Sequence, residues 1–249
     1  MLFRQLFEPV SSTYTYLLAC PHTREAVLVD PVMPTWQRDL QVVNDLGLQL
    51  VMTIDTHIHA DHITSATMLK REAGSRIALP ALDGLECTDV GLQDGVPLQL
   101  GGVRLDPMHT PGHTDNHFAI VAGDRVFTGD ALLIDGCGRT DFQSGDARAL
   151  YTSIRAKLFS LPPDTLVYPA HDYHGRWVSS IAQEKERNPR LGGKRTIEEF
   201  VELMSKLNLP YPKFIDYALS GNRQCGKCPE ELPESLQQYC REMQESPQG

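Results

Sequence analysis

The sequence predicts an α/β protein in which sheets and helices pack in layers. Short runs rich in β-branched residues alternate with amphipathic segments, a pattern that a helical bundle does not produce. In the middle of the chain three short strand-like runs follow one another, as in an antiparallel meander. At 249 residues, with 41% hydrophobic and 22% charged content, the chain can bury a full core without disulfide bonds.

The first part of the chain alternates strands with helices. Residues 2–18 alternate polar and apolar side chains, as an extended segment does. Two buried strands are predicted at 24–30 and 50–55, and each ends in an acidic residue. Between them, residues 36–46 have helical periodicity, and Gly47 provides the stop.

A second helix is predicted over residues 63–73, with Gly74 as its stop. The pattern then changes to three short strands at residues 103–108, 117–121 and 125–128. The last two are separated by Ala-Gly-Asp, which is typical of a hairpin turn. These three strands form the expected meander.

The last third of the chain returns to helices around one strand. Asp146 should cap a helix that extends to residue 159, and a strand is expected at 165–168. A further helix is predicted over residues 177–187, where Asn-Pro follows. The last helix should cover residues 196–207, beginning with Thr-Ile-Glu-Glu.

Whole-chain properties favour a single cytoplasmic domain. No repeat or long linker divides the chain, so one domain over residues 1–249 is expected, with a short C-terminal extension at about 208–249. A net charge of −9 gives no attraction for nucleic acid or an anionic membrane, which leaves a small molecule as the expected partner. The N-terminus resembles neither a signal peptide nor a transit segment, and no apolar run has membrane-spanning length.

Six cysteines are spread unevenly along the chain: Cys20, Cys87, Cys137, Cys225, Cys228 and Cys240. In a reducing cytosol they are expected to be free thiols. Only Cys225 and Cys228 have a spacing that suits a zinc half-site or a redox pair, and no second pair lies nearby to complete a zinc site. A plain C-terminal loop is the simpler interpretation of this segment.

The histidines cluster in segments that follow or lie between predicted strands. The first segment is His57-Ile-His59-Ala-Asp61-His62. His57 and His59 are two residues apart, so their rings point to the same side of an extended chain. Asp61 and His62 should lie where the chain turns into the next helix. Because burying these groups together without a cation would be costly, the run predicts ligands for up to two adjacent metals, zinc or iron.

The other segments contain His113 and His171, and Asp130 ends a further strand within Thr-Gly-Asp. Loops at one edge of a sheet can bring such residues to a common point. Alone, Asp130 would be unremarkable, but beside the histidine clusters it is a candidate ligand. His117 could equally be an ordinary strand residue, and His109 is interpreted as a structural histidine.

Besides the segment 57–62, the sequence has three further motifs with candidate metal ligands: Thr110-Pro-Gly-His113-Thr, Thr128-Gly-Asp130 and the late His171. Together they resemble the metallo-β-lactamase superfamily, which implies an αββα sandwich with the site at one edge. Two families of that superfamily must be separated. Glyoxalase II is a thioesterase with two metals, whereas the persulfide dioxygenases of the ethylmalonic encephalopathy protein family have one iron.

Three further segments are similar to the persulfide dioxygenases: residues 131–143, residues 168–175, and residues 184–191 with Asn188-Pro189-Arg190. Glyoxalase II would instead be expected to have a Gly-His-Glu-Tyr type segment at the last histidine and a longer helical C-terminal region. The three segments therefore favour the persulfide dioxygenases. The similarity extends from about residue 7 to residue 225, which is nearly the whole chain.

Carried over residue by residue, the family's iron ligands and catalytic centre fall on His57, His113 and Asp130. Two histidines and one carboxylate leave positions open on a non-haem iron(II). The remaining polar groups would hold these three ligands in place: His59, Asp61, His62 and His171. Because every residue needed for a second metal is present, residue identity does not exclude a binuclear zinc site.

The implied enzyme is a glutathione persulfide dioxygenase, which would use one Fe(II) per chain to oxidise glutathione persulfide with O2 and water to sulfite and glutathione. Glutathione carries two carboxylates, so a fixed cation is expected at the site. Arg139 is the first candidate for substrate binding, followed by Tyr173 and Arg223. The structural alternatives are an ion pair of Arg139 with Asp141 or Asp146, and a Tyr173 ring packed against the sheet.

Other functions stay open from the sequence alone. One is a glyoxalase II-like hydroxyacylglutathione thioesterase, in which two zinc ions generate the attacking hydroxide. Another is a metal-binding or sulfur-carrier module without catalysis. At the family level a homodimer is expected, with a sulfurtransferase of the rhodanese type as the pathway partner.

Overall fold

The computed structural model describes residues 1–228, which form two compact units. The first unit comprises Met1–Gly91, Gln99–Val103 and the chain from Tyr211 onward. The second comprises Leu92–Leu98 and Arg104–Pro210. A single domain over residues 1–249 stays a prediction, and residues 229–249 of the expected C-terminal extension lie outside the described residues.

The first unit contains a mixed sheet of six strands. In spatial order they are β1 (Leu2–Glu8), β2 (Thr13–Ala19), β3 (Glu25–Val29), β4 (Gln49–Ile54), β5 (Arg76–Pro80) and β6 (Val90–Leu92). β1, β2 and β3 pair antiparallel, whereas β3, β4 and β5 pair parallel. Parallel neighbours need crossover connections, which the helices α1 (Trp36–Asp45) and α2 (Ala66–Ala73) provide.

Both helices end where the sequence predicts. Gly47 and Gly74 follow them with φ values of +61° and +71°, in the left-handed region that glycine adopts at low cost. One core cluster of this unit packs aliphatic side chains from the sheet and the two helices, among them Leu17, Leu28, Val43, Leu50 and Leu69.

Helix α2 begins at Ala66, three residues later than predicted. The preceding residues are extended because they pair with the chain that leaves β3. Val32 and Thr64 form an antiparallel bridge, and Met33 N donates to Ile63 O at 2.8 Å. Tertiary hydrogen bonds therefore override the helical pattern of residues 63–65.

Most of a second mixed sheet of six strands belongs to the second unit. In spatial order they are β14 (Ser179–Ser180), β13 (Leu166–Pro169), β10 (Arg125–Gly129), β9 (Phe118–Ala122), β8 (Val103–His109) and β7 (Leu98–Leu100). β8, β9 and β10 form the predicted antiparallel meander, and β13 joins β10 in parallel. A small hairpin follows β10: β11 (Leu132–Leu133) and β12 (Gly136–Cys137).

Three helices belong to the second unit: α3 (Ala147–Ala156), α4 (Ile181–Arg187) and α5 (Ile197–Ser205). The Asp146 side chain caps α3, and Thr196 and Glu199 form a capping box on α5. Helix α4 begins four residues later than predicted, because Ser179 and Ser180 pair with β13 instead. Among residues 1–228, no helix has the length and apolar character that a membrane crossing requires.

The sequence did not predict a helix in the C-terminal segment, yet α6 (Ile215–Asn222) forms there in the first unit. After it, Cys225 is joined to Cys87 by a disulfide bond. The expectation of free thiols is therefore wrong for these two residues, because the fold brings their Cα atoms to 6.2 Å. It follows that Cys225 does not form a redox pair with Cys228. Two free thiols are described, and both are buried: Cys20 and Cys137.

Candidate metal centre

The loop that follows β4 carries three buried imidazoles. The ring centroids of His57 and His59 lie 4.2 Å apart, and those of His59 and His62 lie 4.3 Å apart. Each of the three residues is at most 5% exposed. Buried ring nitrogens need hydrogen bonds or a cation, so the contacts of each ring determine its chemistry.

Thr56 fixes the tautomer of His57. Its hydroxyl donates to Asp30 Oδ2 at 3.1 Å and lies 3.0 Å from His57 Nδ1. A hydroxyl has only one hydrogen, so towards His57 it accepts from Nδ1–H. The proton of the neutral ring is therefore on Nδ1, and Nε2 has the lone pair that a metal requires. The Thr56 N–H also donates to Asp30 Oδ1, at 2.8 Å, which anchors the loop.

His59 is held in the opposite protonation state. Its Nε2 lies 3.1 Å from Asp30 Oδ1 and 3.7 Å from Asp55 Oδ1. Burial opposes a charge on this ring, but the carboxylates of Asp30, Asp61 and Asp55 together outweigh that effect and raise the pKa of His59 to about 9. Burial raises the pKa of Asp55 to about 7. Because a protonated imidazole does not bind metals, His59 suits a role as the counter-ion of Asp30.

Asp61 and His62 interact with each other within the same loop. Asp61 Oδ2 lies 2.8 Å from His62 Nδ1, and Thr13 Oγ1 donates to that oxygen at 3.3 Å. Ligand atoms of His59, Asp61 and His62 lie within 4.8 Å of one another. The loop thus retains the donor types that a second metal would use.

Asn222, at the end of α6, anchors the backbone of the same loop. Its Nδ2 donates to His59 O at 2.8 Å and to His62 O at 2.7 Å, while its Oδ1 accepts from Thr64 N at 2.9 Å. The residue is 2% exposed. Sequence reasoning missed Asn222 because it lies about 160 positions from its partners and belongs to no local motif.

The second unit brings together His113, Asp130 and His171. Asp130 follows β10 and His171 follows β13, and these strands are parallel neighbours, so their ends share one edge of the sheet. Asp130 Oδ2 lies 3.5 Å from His113 Nε2, and Asp130 Oδ1 lies 3.6 Å from His171 Nε2. Both distances are too long for good hydrogen bonds, but they suit groups that face a common cation.

Backbone and hydroxyl groups fix these side chains too. His113 Nδ1–H donates to Arg139 O at 2.8 Å, which leaves Nε2 as the metal-binding nitrogen. The Asp130 N–H donates to His117 Nε2 at 3.1 Å, so the His117 proton is on Nδ1, which lies 2.8 Å from Thr110 Oγ1. His117 is therefore not an ordinary strand residue, since it anchors the backbone of Asp130.

Arg139 forms the ion pair that the sequence offered as an alternative to substrate binding. Its Nε and Nη2 donate to the two oxygens of Asp141 at 2.6 and 2.7 Å, and its Nη1 donates to Pro210 O at 2.8 Å. Hydrogen bonds from Arg139 hold the pKa of Asp141 below its usual range. The guanidinium also stacks over the Phe142 ring at 4.5 Å. Arg139 is thus a fixed cation near His113, with its role in substrate binding still a prediction.

The other two predicted substrate-binding residues lie in exposed positions. Tyr173 is 67% exposed, and its ring is parallel to that of His171 with centroids 6.0 Å apart. Its ring therefore extends into solvent and is not packed against the sheet. Arg223 is an exposed residue at the end of α6 in the first unit, where it lines an open groove with Tyr211 and Asp216.

The fold and the histidine loops define the class of protein. The model of the metallo-β-lactamase superfamily matches residues 9–171. The chain therefore belongs to that superfamily, and the predicted α/β fold class is confirmed.

Comparison with individual relatives identifies the family within this superfamily. The bovine mitochondrial persulfide dioxygenase ETHE1 is 49% identical over 229 residues, which cover 91% of this chain and 89% of the relative. The human protein of the same name is 48% identical with the same coverage. A crystal structure of ETHE1 from Myxococcus xanthus has a TM-score of 0.88 at 51% identity, covering 91% of this chain and all of the other. Within its superfamily, the chain belongs to the persulfide dioxygenases, which are enzymes.

Proposed function

We propose that the chain is a glutathione persulfide dioxygenase, which oxidises glutathione persulfide with O2 and water to sulfite and glutathione. The observation that carries the proposal is the identity of about half of all aligned residues with named persulfide dioxygenases over 91% of the chain. The donor set adds support, because it combines neutral imidazoles with a carboxylate, as non-haem iron enzymes do.

We propose that His57, His113 and Asp130 bind one iron(II) per chain. The described residues fit such an ion, since hydrogen bonds put the ring protons of both histidines on Nδ1. Asp130 Oδ1 is buried and accepts no hydrogen bond within residues 1–228, so a cation would compensate its charge. When bound, iron(II) supplies the redox chemistry and open coordination positions for substrate and O2.

In this proposal the chain's other polar groups keep the ligands in place. His59 neutralises Asp30, and Asp30 fixes Thr56 and thereby the proton of His57. His171 faces the second oxygen of Asp130. Asp61 contacts His62 Nδ1 within the same loop and thereby orients the His62 ring.

Arg139, Tyr173 and Arg223 are proposed to bind the glutathione part of the substrate. The Asp141 carboxylate holds the Arg139 guanidinium in one orientation, while the N–H groups that it does not use can pair with a substrate carboxylate. Tyr173 has an exposed ring next to His171 and can contact a ligand without rearrangement of the core.

A glyoxalase II-like thioesterase remains the second candidate because of one observation. The donor cluster of His59, Asp61 and His62 is intact, and a second metal could recruit it. Two zinc ions would then generate hydroxide for hydrolysis of a glutathione thioester.

One experiment separates these functions. The chain is purified without oxygen, its metals are quantified, and oxygen uptake is measured with glutathione persulfide. We expect about one iron per chain, as one set of ligands implies, together with oxygen uptake and sulfite release. Two zincs with thioester hydrolysis would establish the second candidate, and bound metal without either activity would indicate a non-catalytic module.

We also propose a homodimer that receives its persulfide from a sulfurtransferase. Sedimentation measurements would test the dimer, and sulfite formation in a coupled assay with a rhodanese-type enzyme would test the pathway partner. A cytoplasmic location stays a prediction.

A further inference from the structure

Residues 135–138, which include β12, are held by side chains that the proposed reaction does not use. Residues 135–137 each form one backbone hydrogen bond with a side chain of α4 or of the residues that follow it. The three bonds are Asp135 N to Glu184 Oε2 at 2.9 Å, Asn188 Nδ2 to Gly136 O at 3.0 Å, and Arg190 Nη1 to Cys137 O at 2.8 Å. A two-residue strand such as β12 has few ladder bonds, so these side chains determine the path of the segment.

Glu184 and Asn188 form a buried brace. They are 0% and 3% exposed, and Asn188 Nδ2 also donates to Glu184 Oε2 at 2.8 Å. Ser179 Oγ donates to the other Glu184 oxygen. Asn188 Oδ1 accepts from Leu191 N at 3.1 Å, which fixes the orientation of its amide. A buried ionic group often stabilises a fold no more than a hydrophobic side chain of similar volume, so stability alone does not account for Glu184.

The braced segment lies directly against two proposed iron ligands. Gly138 N donates to Asp130 O at 2.8 Å, and a Cβ at Gly138 would lie 2.1 Å from Asp130 O and 2.9 Å from His113 Nδ1. The next residue, Arg139, accepts the Nδ1–H of His113 on its carbonyl. A shift of residues 136–138 would therefore move the Arg139 carbonyl and rotate the His113 ring.

We infer that Glu184 and Asn188 are positioning residues of the metal centre, which act through residues 135–139 on His113 and Asp130. The inference rests on the proposed function only in that it takes His113 and Asp130 as iron ligands. It gives a role to the segment of residues 184–191, from which Glu184, Asn188 and Arg190 hydrogen-bond to residues 135–137.

Two substitutions test the inference, Glu184→Leu and Asn188→Ala. Glu184→Leu keeps a similar volume but removes the oxygen that accepts from Asp135 N and Asn188 Nδ2, and Asn188→Ala removes the bond to Gly136 O. We expect each to weaken iron(II) binding by about 10- to 100-fold in a chelator competition, the usual effect of losing a group that orients a ligand. With iron saturating, kcat should fall while KM for glutathione persulfide stays unchanged.

Cobalt(II) replaces iron for a readout that does not depend on activity. The visible absorption bands of bound cobalt report its coordination geometry, so both variants should differ from the wild-type spectrum. Glu186→Gln is the matched control, because Glu186 is an exposed residue on the same helix, and it should leave affinity and spectrum unchanged. Val43→Ala lowers stability in the core of the first unit, in a cluster that contains no residue of the brace, and controls for general destabilisation.

Wild-type iron affinity and cobalt spectrum in both brace variants would overturn the inference. The same holds if Val43→Ala reproduces their effects at equal loss of thermal stability. If one variant does not fold, Asn188→Ser replaces it, since serine is too short to reach Gly136 O. Failure of the wild-type chain to bind iron would refute the proposed function instead, while the cobalt spectra would still decide the role of Glu184 and Asn188.

Discussion

At the residue scale, the hydrogen bond on one nitrogen of each histidine determines what the other nitrogen can do. Thr56 and the Arg139 carbonyl accept from Nδ1–H of His57 and His113, respectively, and Nε2 of both rings is thereby left for a metal. The identity of these histidines was visible in the sequence, because their spacing is local. Their tautomers were not, because Arg139 is 26 positions from His113 and its carbonyl carries no sequence signal.

Replacement of Thr56 tests the tautomer argument. Thr56→Val removes the hydroxyl that links Asp30 to His57 while keeping the shape of the side chain. We expect iron(II) affinity to fall by about 10- to 100-fold, measured by chelator competition. Thr56→Ser keeps the hydroxyl and should retain most of the affinity. Equal affinity of the valine variant and the wild type would contradict the argument.

At the element scale, local patterns predicted most of the long elements and few of the short ones. The strands β3 and β4 and helix α1 were predicted within a residue or two, since each has its own apolar pattern and Gly47 marks the end of the helix. β11, β12 and β14 have two residues each, and only pairing with other segments defines them. No pattern can be read from two residues.

The buried carboxyl group of Asp39, on helix α1, makes the stability of the fold depend on pH. Burial raises the pKa of Asp39 from 3.8 to about 6, and the adjacent Arg38 only partly offsets this. The folded chain thus holds the Asp39 proton more tightly than the unfolded chain does. Its contribution to stability is present below pH 3.8 and is lost as the pH rises through about 6, which amounts to about 3 kcal/mol.

Asp39→Asn should remove this dependence. We expect the free energy of unfolding of the variant to fall less steeply between pH 4 and 6 than that of the wild type, as measured by urea denaturation at a series of pH values. Asp45→Asn, an exposed position on the same helix, serves as the control and should follow the wild-type curve. Parallel curves for Asp39→Asn and the wild type would show that Asp39 titrates normally.

At the scale of the whole molecule, contacts between distant parts of the chain escaped prediction. The Cys87–Cys225 disulfide closes 138 positions, and Asn222 reaches the histidine loop from α6. Pairing of this kind depends on the folded backbone path, which spacing does not reveal. The class of fold was predictable all the same, because the histidine and aspartate motifs are specific to the superfamily, whose model matches residues 9–171.

Metal binding should stabilise the whole chain by mass action. A ligand that binds only the folded state adds about 4 kcal/mol at a thousandfold excess over its dissociation constant. We expect iron(II) added without oxygen to raise the melting temperature of the metal-free protein, as measured by calorimetry. His113→Ala and Asp130→Ala should show no such increase. A full increase in both variants would exclude these residues as ligands.

Asp30 also affects how the proposed metal centre takes up its ion. One of its oxygens contacts His59, and the other receives the Thr56 hydroxyl that leads to His57. Through these contacts the same carboxylate gives two neighbouring rings different roles. His57 keeps an electron pair on Nε2 for a metal, whereas His59 carries a positive charge. Within this pair of rings, hydrogen ions should therefore compete with the metal at His57 and not at His59.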